Sequence, residues 1–255
     1  MKRLQKNCGK YCGQTIDIRD TLAKLQRAAE RHGWTYECLL DSSAAMLCGM
    51  HRSGPAATKR VYLSSGIHGD EPAGPLALLR MLEEDRWPQR MDLWVCPCLN
   101  PTGFPLNQRE NADGIDLNRD YRHLTSAEIR AHVDWLRRQP DFDLTLVLHE
   151  DWEANGFYLY ELNPHGRKSF AETIIANVSR VCPIETAERV DNWPASGGII
   201  RPNIHPQERP QWPESIFLIS HKAPLSYTLE APSDFPLETR VTTLVTAVRT
   251  ALEMA

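Results

Sequence analysis

The chain has 255 residues, a formal net charge of −4 and 42% apolar residues, enough for a full globular core and too many for a disordered chain. Its mild acidity gives no electrostatic case for nucleic acid or an anionic membrane as partner. No stretch approaches the roughly 18 apolar residues of a membrane span. The basic start, Met1-Lys2-Arg3-Leu4-Gln5-Lys6, leads into no apolar segment of the secretory kind, so a cytoplasmic protein is expected. The seven cysteines are scattered, with Cys8 and Cys12 near the start and Cys96 and Cys98 in an apparent strand. Free thiols in a reducing compartment are expected, with a metal clip or redox pair as the alternative.

In chain order, Asp17 can cap a helix whose apolar positions are Ile18, Leu22, Leu25 and Ala29, and Gly33 stops it. Residues 34–40 and 44–51 read as strands joined by a turn at Asp41-Ser42-Ser43, which implies an antiparallel pair. Gly54-Pro55 breaks the chain before a short β-favouring run, Val61-Tyr62-Leu63. A glycine-punctuated loop, Ser64 to Glu71, follows, and then a helix over residues 75–84 with Leu76, Leu79 and Leu82. Residues 92–97 are a strand. Residues 100–121 are rich in Asn, Gly, Asp and Arg and lack apolar periodicity; a loop of that length in a compact domain is usually functional. Thr125 and Glu128 form a capping box for a helix with Ile129, Val133 and Leu136 on one face. Residues 144–148 are a buried strand ended by His149. A strand at 157–162, a helix at 167–181, an irregular stretch at 185–213, short strands at 216–219 and 225–229, and a helix from Leu237 complete the chain. Strands alternating with helices predict a single α/β domain over residues 1–255, its mixed, mainly parallel sheet flanked by helices.

The candidate chemistry sits where strands end. His68 and Glu71, three apart in Ser64-Ser65-Gly66-Ile67-His68-Gly69-Asp70-Glu71, offer an imidazole and a carboxylate at the carboxyl end of a strand. His149 ends another strand and opens onto the same edge. His, Glu and His with a water in the fourth position is the ligand set of an open, hydrolytic zinc site. Arg109 and the run Asp116-Leu117-Asn118-Arg119 lie in the long loop. One arginine can stabilise a developing oxyanion, and another can hold a substrate carboxylate in bidentate fashion. Glu230 ends a third strand, where it would take a proton from a metal-bound water and return it to a leaving amine.

His68-Gly69-Asp70-Glu71, Asn100-Pro101-Thr102-Gly103-Phe104, Arg109, Asp116-Leu117-Asn118-Arg119, His149 and Glu230 occur in the order and approximate spacing of the zinc carboxypeptidase (M14, carboxypeptidase A-like) family, which the chain resembles from about residue 61 to 232. The short interval between Arg109 and Asn118 is most similar to the bacterial murein peptide amidases, which cleave the bond between D-glutamate and diaminopimelate. The succinylglutamate desuccinylase/aspartoacylase branch is similar too. The resemblance implies a sheet of about eight strands and one Zn2+ held by His68, Glu71 and His149. It implies that Arg109 polarises the scissile carbonyl and that Asn118 and Arg119 hold the substrate's terminal carboxylate. Asp116 would orient His68, and Glu230 would be the general base and then acid. The substrate would be a small peptide cut at its carboxyl-terminal amide or, alternatively, an N-acyl amino acid; a zinc- or carboxylate-binding protein without catalysis is the third reading.

The chain departs from the family pattern in several places. The substrate-side tyrosine upstream of the catalytic glutamate has no counterpart: Tyr227 is too close to Glu230, and residues 194–224 contain no tyrosine. Glu150, Asp151 and Glu153 form an acidic cluster that either selects basic substrate groups or is a solvated turn. Arg201 and Arg209 are alternatives for meeting a second acidic group. With neither propeptide nor secretion signal expected, the zymogen logic of digestive members does not apply.

Overall fold

The computed structural model describes residues 3–7, 13–41 and 46–255. Cys8, Cys12 and the turn residues Ser42 and Ser43 lie outside them. Its order is α1 (Ile18–Arg31), β1 (Thr35–Asp41), β2 (Met46–Arg52), β3 (Lys59–Ser65), α2 (Ala73–Glu84), β4 (Met91–Cys96), α3 (Ala127–Arg138), β5 (Leu144–Asp151), β6 (Tyr158–Leu162), α4 (Ala171–Val178), β7 (Arg189–Val190), β8 (Trp193–Ser196), β9 (Ile199–Ile200), α5 (Glu214–His221), β10 (Ser226–Pro232) and α6 (Leu237–Met254). Among the described residues, no helix is long and apolar enough to cross a membrane.

The strands form one mixed sheet in the order β1-β2-β4-β3-β5-β10-β6-β9-β8-β7. Parallel pairing joins β4, β3, β5 and β10 at the centre, and β6 to β9. The remaining pairs are antiparallel. The central strands are apolar on both faces, as a sheet covered by helices on both sides requires. Leu144, Leu146 and Leu148 pack with α1, α2, α4 and α6, while Val147 faces the layer of α3 and α5. Val61 and Leu63 likewise face the first layer and Tyr62 the second. The adjacent carboxyl ends of β3, β5 and β10 therefore open onto one edge, with Ser65 beside Leu148 and Glu230 beside His149.

The sheet has ten strands rather than about eight, because the stretch at 185–213 contributes β7, β8 and β9 at one edge. Two- to four-residue strands interrupted by proline carry no alternation to read. The run at 216–219 is not a strand but the middle of α5, with Ile216, Phe217 and Leu218 buried. A short apolar run after a proline fits a buried helix as well as a strand. The helix expected over 167–181 is confined to Ala171–Val178. β5 continues past His149 to Asp151.

The start of α1 follows the cap chemistry of the sequence: the Asp17 side chain accepts from the Asp20 N–H at 3.0 Å, and Gly33 takes φ +72°. The start of α3 does not. Ser126, not Thr125, is the capping residue, its hydroxyl accepting from Ile129 N–H at 3.4 Å. Thr125 and Ser126 instead donate from both backbone and hydroxyl to Asp120, four bonds of 2.7–2.9 Å on one carboxylate. Burial raises the Asp120 pKa, but these four donors outweigh it and hold the group below its usual value of 3.8. The stabilisation is thus present above pH 3.8 and lost as the pH falls through the lower folded-state value. Replacing Asp120 with Ala should cost about 1.5–3 kcal/mol in urea unfolding at pH 7. The gap to the wild type should narrow below pH 4, where about half the unfolded-state aspartates are protonated.

Candidate metal and substrate site

The loop leaving β3 is shaped by close backbone approach. A Cβ on Gly69 would lie 2.2 Å from the Gly103 carbonyl carbon, so only glycine lets the 100–104 turn rest against the His68 loop. That turn is tied by Asn100, whose Oδ1 accepts from Gly103 N–H at 2.9 Å and whose Nδ2 donates to the Arg109 carbonyl at 3.2 Å. The Asn-Pro-Thr-Gly run thereby sets the position of Arg109.

Glu71 stands at the centre of the site. Its Oε1 is in short contact with His68 Nδ1, and its Oε2 lies 3.0 Å from His149 Nδ1. All three side chains are buried. The far nitrogen of His68, Nε2, is buried without a hydrogen-bond partner and faces Asp116 Oδ1 at 3.5 Å. In a neutral imidazole, a proton on Nε2, toward that carboxylate, would leave the Nδ1 lone pair free to bind a metal ion. Two imidazole nitrogens and a carboxylate, one donor atom each, lie within 4.8 Å of one another. Such a donor set fits a divalent cation of borderline softness.

The electrostatics agree with that geometry. Burial pushes Glu71 up, but the two histidines outweigh it and hold the carboxyl well below the carboxylate range. Burial lowers His68, and the Glu71 and Asp116 carboxylates raise it by more. Glu230 is half-buried, and desolvation, opposed by His149 but reinforced by Glu71, Asp151 and Asp191, pushes it well above the carboxylate range.

The long loop supplies the cationic wall. Arg109 donates from Nε to Asp116 Oδ2 at 2.9 Å, and its Nη1 lies 3.4 Å from His68 Nδ1. Asp116 also caps the turn that follows, accepting from Asn118 N–H at 2.9 Å. Arg119 turns back to the Asn118 carbonyl at 2.9 Å. His68, Glu71, Arg109, Asn118, Arg119, His149 and Glu230 all line one cleft of about 500 Å³. Asp116 stands behind it, on Arg109 and His68.

Arg201 is paired with Glu161 and Glu172, each at 2.7 Å, and is not part of the cleft lining, whereas Arg209 is. Glu150, Asp151 and Glu153 all border the cleft, but the Glu150 carboxylate turns inward, its Oε2 in a fully buried ion pair with Arg240 and its Oε1 on the Ala73 N–H that opens α2. Its backbone N–H donates to Glu71 Oε2 at 3.1 Å. Tyr227 is structural, accepting the Phe170 N–H at 2.7 Å. The phenols of the cleft are Tyr158 and Tyr160, on β6. They donate to Asp151 at 2.9 Å and to Asp191 at 2.7 Å. Their two-residue spacing puts them on one face of a strand, a signal present in the sequence but hidden until β6 is known to lie beside β10.

An α/β sheet with His, Glu and His at the carboxyl edge and an arginine-lined cleft is the architecture of the M14-like metallopeptidases. The chain belongs to the succinylglutamate desuccinylase/aspartoacylase catalytic domain family, whose model matches residues 57–192, more than half of it. Murein peptide amidase A of Escherichia coli K12 is 33% identical over 97 residues, covering 36% of this chain and 38% of that protein. Carboxypeptidase SOL1 of Arabidopsis thaliana is 35% identical over 92 residues, 28% of this chain and 19% of that one. The aligned parts are thus well under two thirds of these relatives. A metallopeptidase structure from Shewanella amazonensis SB2B superposes with a TM-score of 0.80, at 27% identity and 93% coverage of both chains. A metallo-carboxypeptidase from Burkholderia cenocepacia shares the fold with a TM-score of 0.67, at 15% identity, over 94% of this chain and 69% of that one.

Breaking the buried pair behind Glu71 should be costly. Arg240→Met leaves Glu150 uncompensated and should lower unfolding stability by about 3–5 kcal/mol, and Glu150→Gln in the same chain should recover part of it. Denaturant titration of the two variants checks both.

Proposed function

We propose that the chain is a zinc-dependent hydrolase that cleaves the carboxyl-terminal amide bond of a small peptide or peptide-like substrate, in the manner of a murein peptide amidase. The observation that carries this is Glu71 between two imidazole Nδ1 atoms, with Glu230 beside His149 in register on the neighbouring strand.

His68, Glu71 and His149 would hold one Zn2+. When bound, zinc supplies Lewis acidity, lowering the pKa of a water toward 7 and polarising a carbonyl oxygen. Glu230 takes a proton from the attacking water and delivers it to the departing nitrogen, so one water is consumed and a carboxylate and an amine are released. Arg109, held by Asp116, donates to the carbonyl oxygen as negative charge grows there. Asn118 and Arg119 bind the substrate's terminal carboxylate, which fixes which bond is presented. Asp116, on the Nε2 side of His68, favours the tautomer that frees Nδ1.

The cleft also bears on the substrate. Besides the arginines it is lined by Asp151, Glu153 and Asp191. Such a wall suits a substrate carrying an amine as well as a carboxylate, as a diaminopimelate residue does, and repels a polyanion. A deacylase acting on N-acyl amino acids is the second reading. It is favoured by the family model, and it would use the same zinc and Glu230 chemistry but present the acyl group differently.

A mass-spectrometric product screen on zinc-loaded protein separates the two. Chelator-sensitive release of a terminal amino acid from D-glutamyl-diaminopimelate or other short peptides is the expected outcome. Release of a small acid from N-succinylglutamate alone would move the chain to the deacylase reading. Glu230→Gln should retain zinc and lose turnover by about 10³-fold or more; near-normal turnover would sink the mechanism.

A further inference from the structure

Glu214 is a fully buried carboxylate that the mechanism above does not use. It opens α5, and its oxygens accept from the Tyr62 and Ser64 hydroxyls, each at 2.9 Å. Tyr62 Oη in turn lies 2.8 Å from His132 Nε2, and Tyr121 Oη lies 2.8 Å from His132 Nδ1. Burial pushes His132 down to about 3, so the ring is neutral and has a single N–H. With Tyr62 donating to Glu214, that hydrogen sits on Nε2 and Tyr121 donates to Nδ1. Every hydrogen then runs one way, from Tyr121 through His132 and Tyr62 to Glu214.

The anchored end of α5 has a donor to place. Pro213 precedes the helix and offers no side-chain cap, so the first helical N–H, that of Glu214 itself, lacks a local partner. It donates across the fold to Asn118 Oδ1 at 2.9 Å. An amide whose oxygen is taken by a donor turns its NH2 the other way. Asn118 lines the cleft, as do Pro213, Ser215 and Ile216 around the helix start, while the Glu214 side chain is spent on Tyr62 and Ser64.

We propose that Glu214 is a positioning residue for carboxylate recognition: anchored on Tyr62 and Ser64, it holds its own backbone N–H on Asn118 Oδ1 and so commits the Asn118 amide to present its NH2, not its oxygen, to a substrate carboxylate. Without the anchor the amide is free to turn, and its oxygen would face the carboxylate with no hydrogen between them. The inference rests on the reading of Asn118 as a carboxylate contact.

The test uses zinc-loaded full-length protein carrying Glu230→Gln, so that ligand is bound and not turned over. Calorimetry compares L-alanyl-γ-D-glutamyl-diaminopimelate with the same peptide bearing its terminal carboxylate as the carboxamide. The parent should prefer the free acid by about tenfold or more, the size of a hydrogen bond to a charged group. Asn118→Ala should lose most of that preference. Glu214→Ala should lose it to a similar degree and add little in the Asn118→Ala background, and Glu214→Gln, which keeps an acceptor for Tyr62, should restore part of it. If Glu214→Ala fails to fold, Tyr62→Phe and Ser64→Ala each remove one anchor and should lower the preference. Preservation of the preference in all foldable anchor variants, with acid and amide weakened alike or not at all, overturns the inference. No binding, no preference in the parent, or a preference that survives Asn118→Ala overturns the underlying reading of the site instead.

Discussion

The site depends on one buried carboxylate. Glu71 is out of water and touches two imidazoles and the Glu150 N–H. A charge in that position must be matched on every side, because an unmatched one costs several kcal/mol. The matching reaches well beyond the site. Glu150 is held by Arg240 of α6 and by the first N–H of α2, so the helix layer and the central strand meet at the residue that backs Glu71. The same arrangement that keeps Glu71 ionised when no metal is bound converges two nitrogens and a carboxylate on one point.

Around it, the loop is held by close backbone approach and by short polar side chains. Gly69 lets the 100–104 turn lie against the His68 loop, and Asn100 ties that turn to Arg109. Asp116 then serves three neighbours: Arg109, His68 and the Asn118 N–H. A loop that had no periodicity in the sequence is therefore held by identifiable hydrogen bonds. The cleft it borders is lined by Arg109 and Arg119 and also by Asp151 and Asp191, so charges of both signs face it.

Much of this was legible in the chain. Covered strands show as apolar runs, and polar residues at their carboxyl ends stand out, so His68, Glu71, His149 and Glu230 could be picked before any coordinates. Asp17 and Gly33 marked the ends of a helix through local chemistry alone. The errors fell where the deciding contacts are distant. The run at 216–219 is helical because the first turn of α5 is anchored on Asn118, Tyr62 and Ser64, and the strands within 185–213 exist only by pairing at the sheet edge. The cap of α3 is Ser126 and not Thr125, although Asp120 takes both hydroxyls, because only the Ser126 oxygen also receives the Ile129 N–H.

The sequence by itself determined most element types, the apolar faces and which side chains are candidates for chemistry, because these follow from spacing along a strand or helix and from residue type. Only the tertiary structure decided which of them meet. His149 reaches Glu71 across 78 residues and Arg240 reaches Glu150 across 90. It also divided Arg201 from Arg209, turned Glu150 inward, and placed Tyr158 and Tyr160 in the cleft. Such pairings depend on strand order and helix docking, which are settled by the burial of whole faces and leave no mark at any single position in the chain.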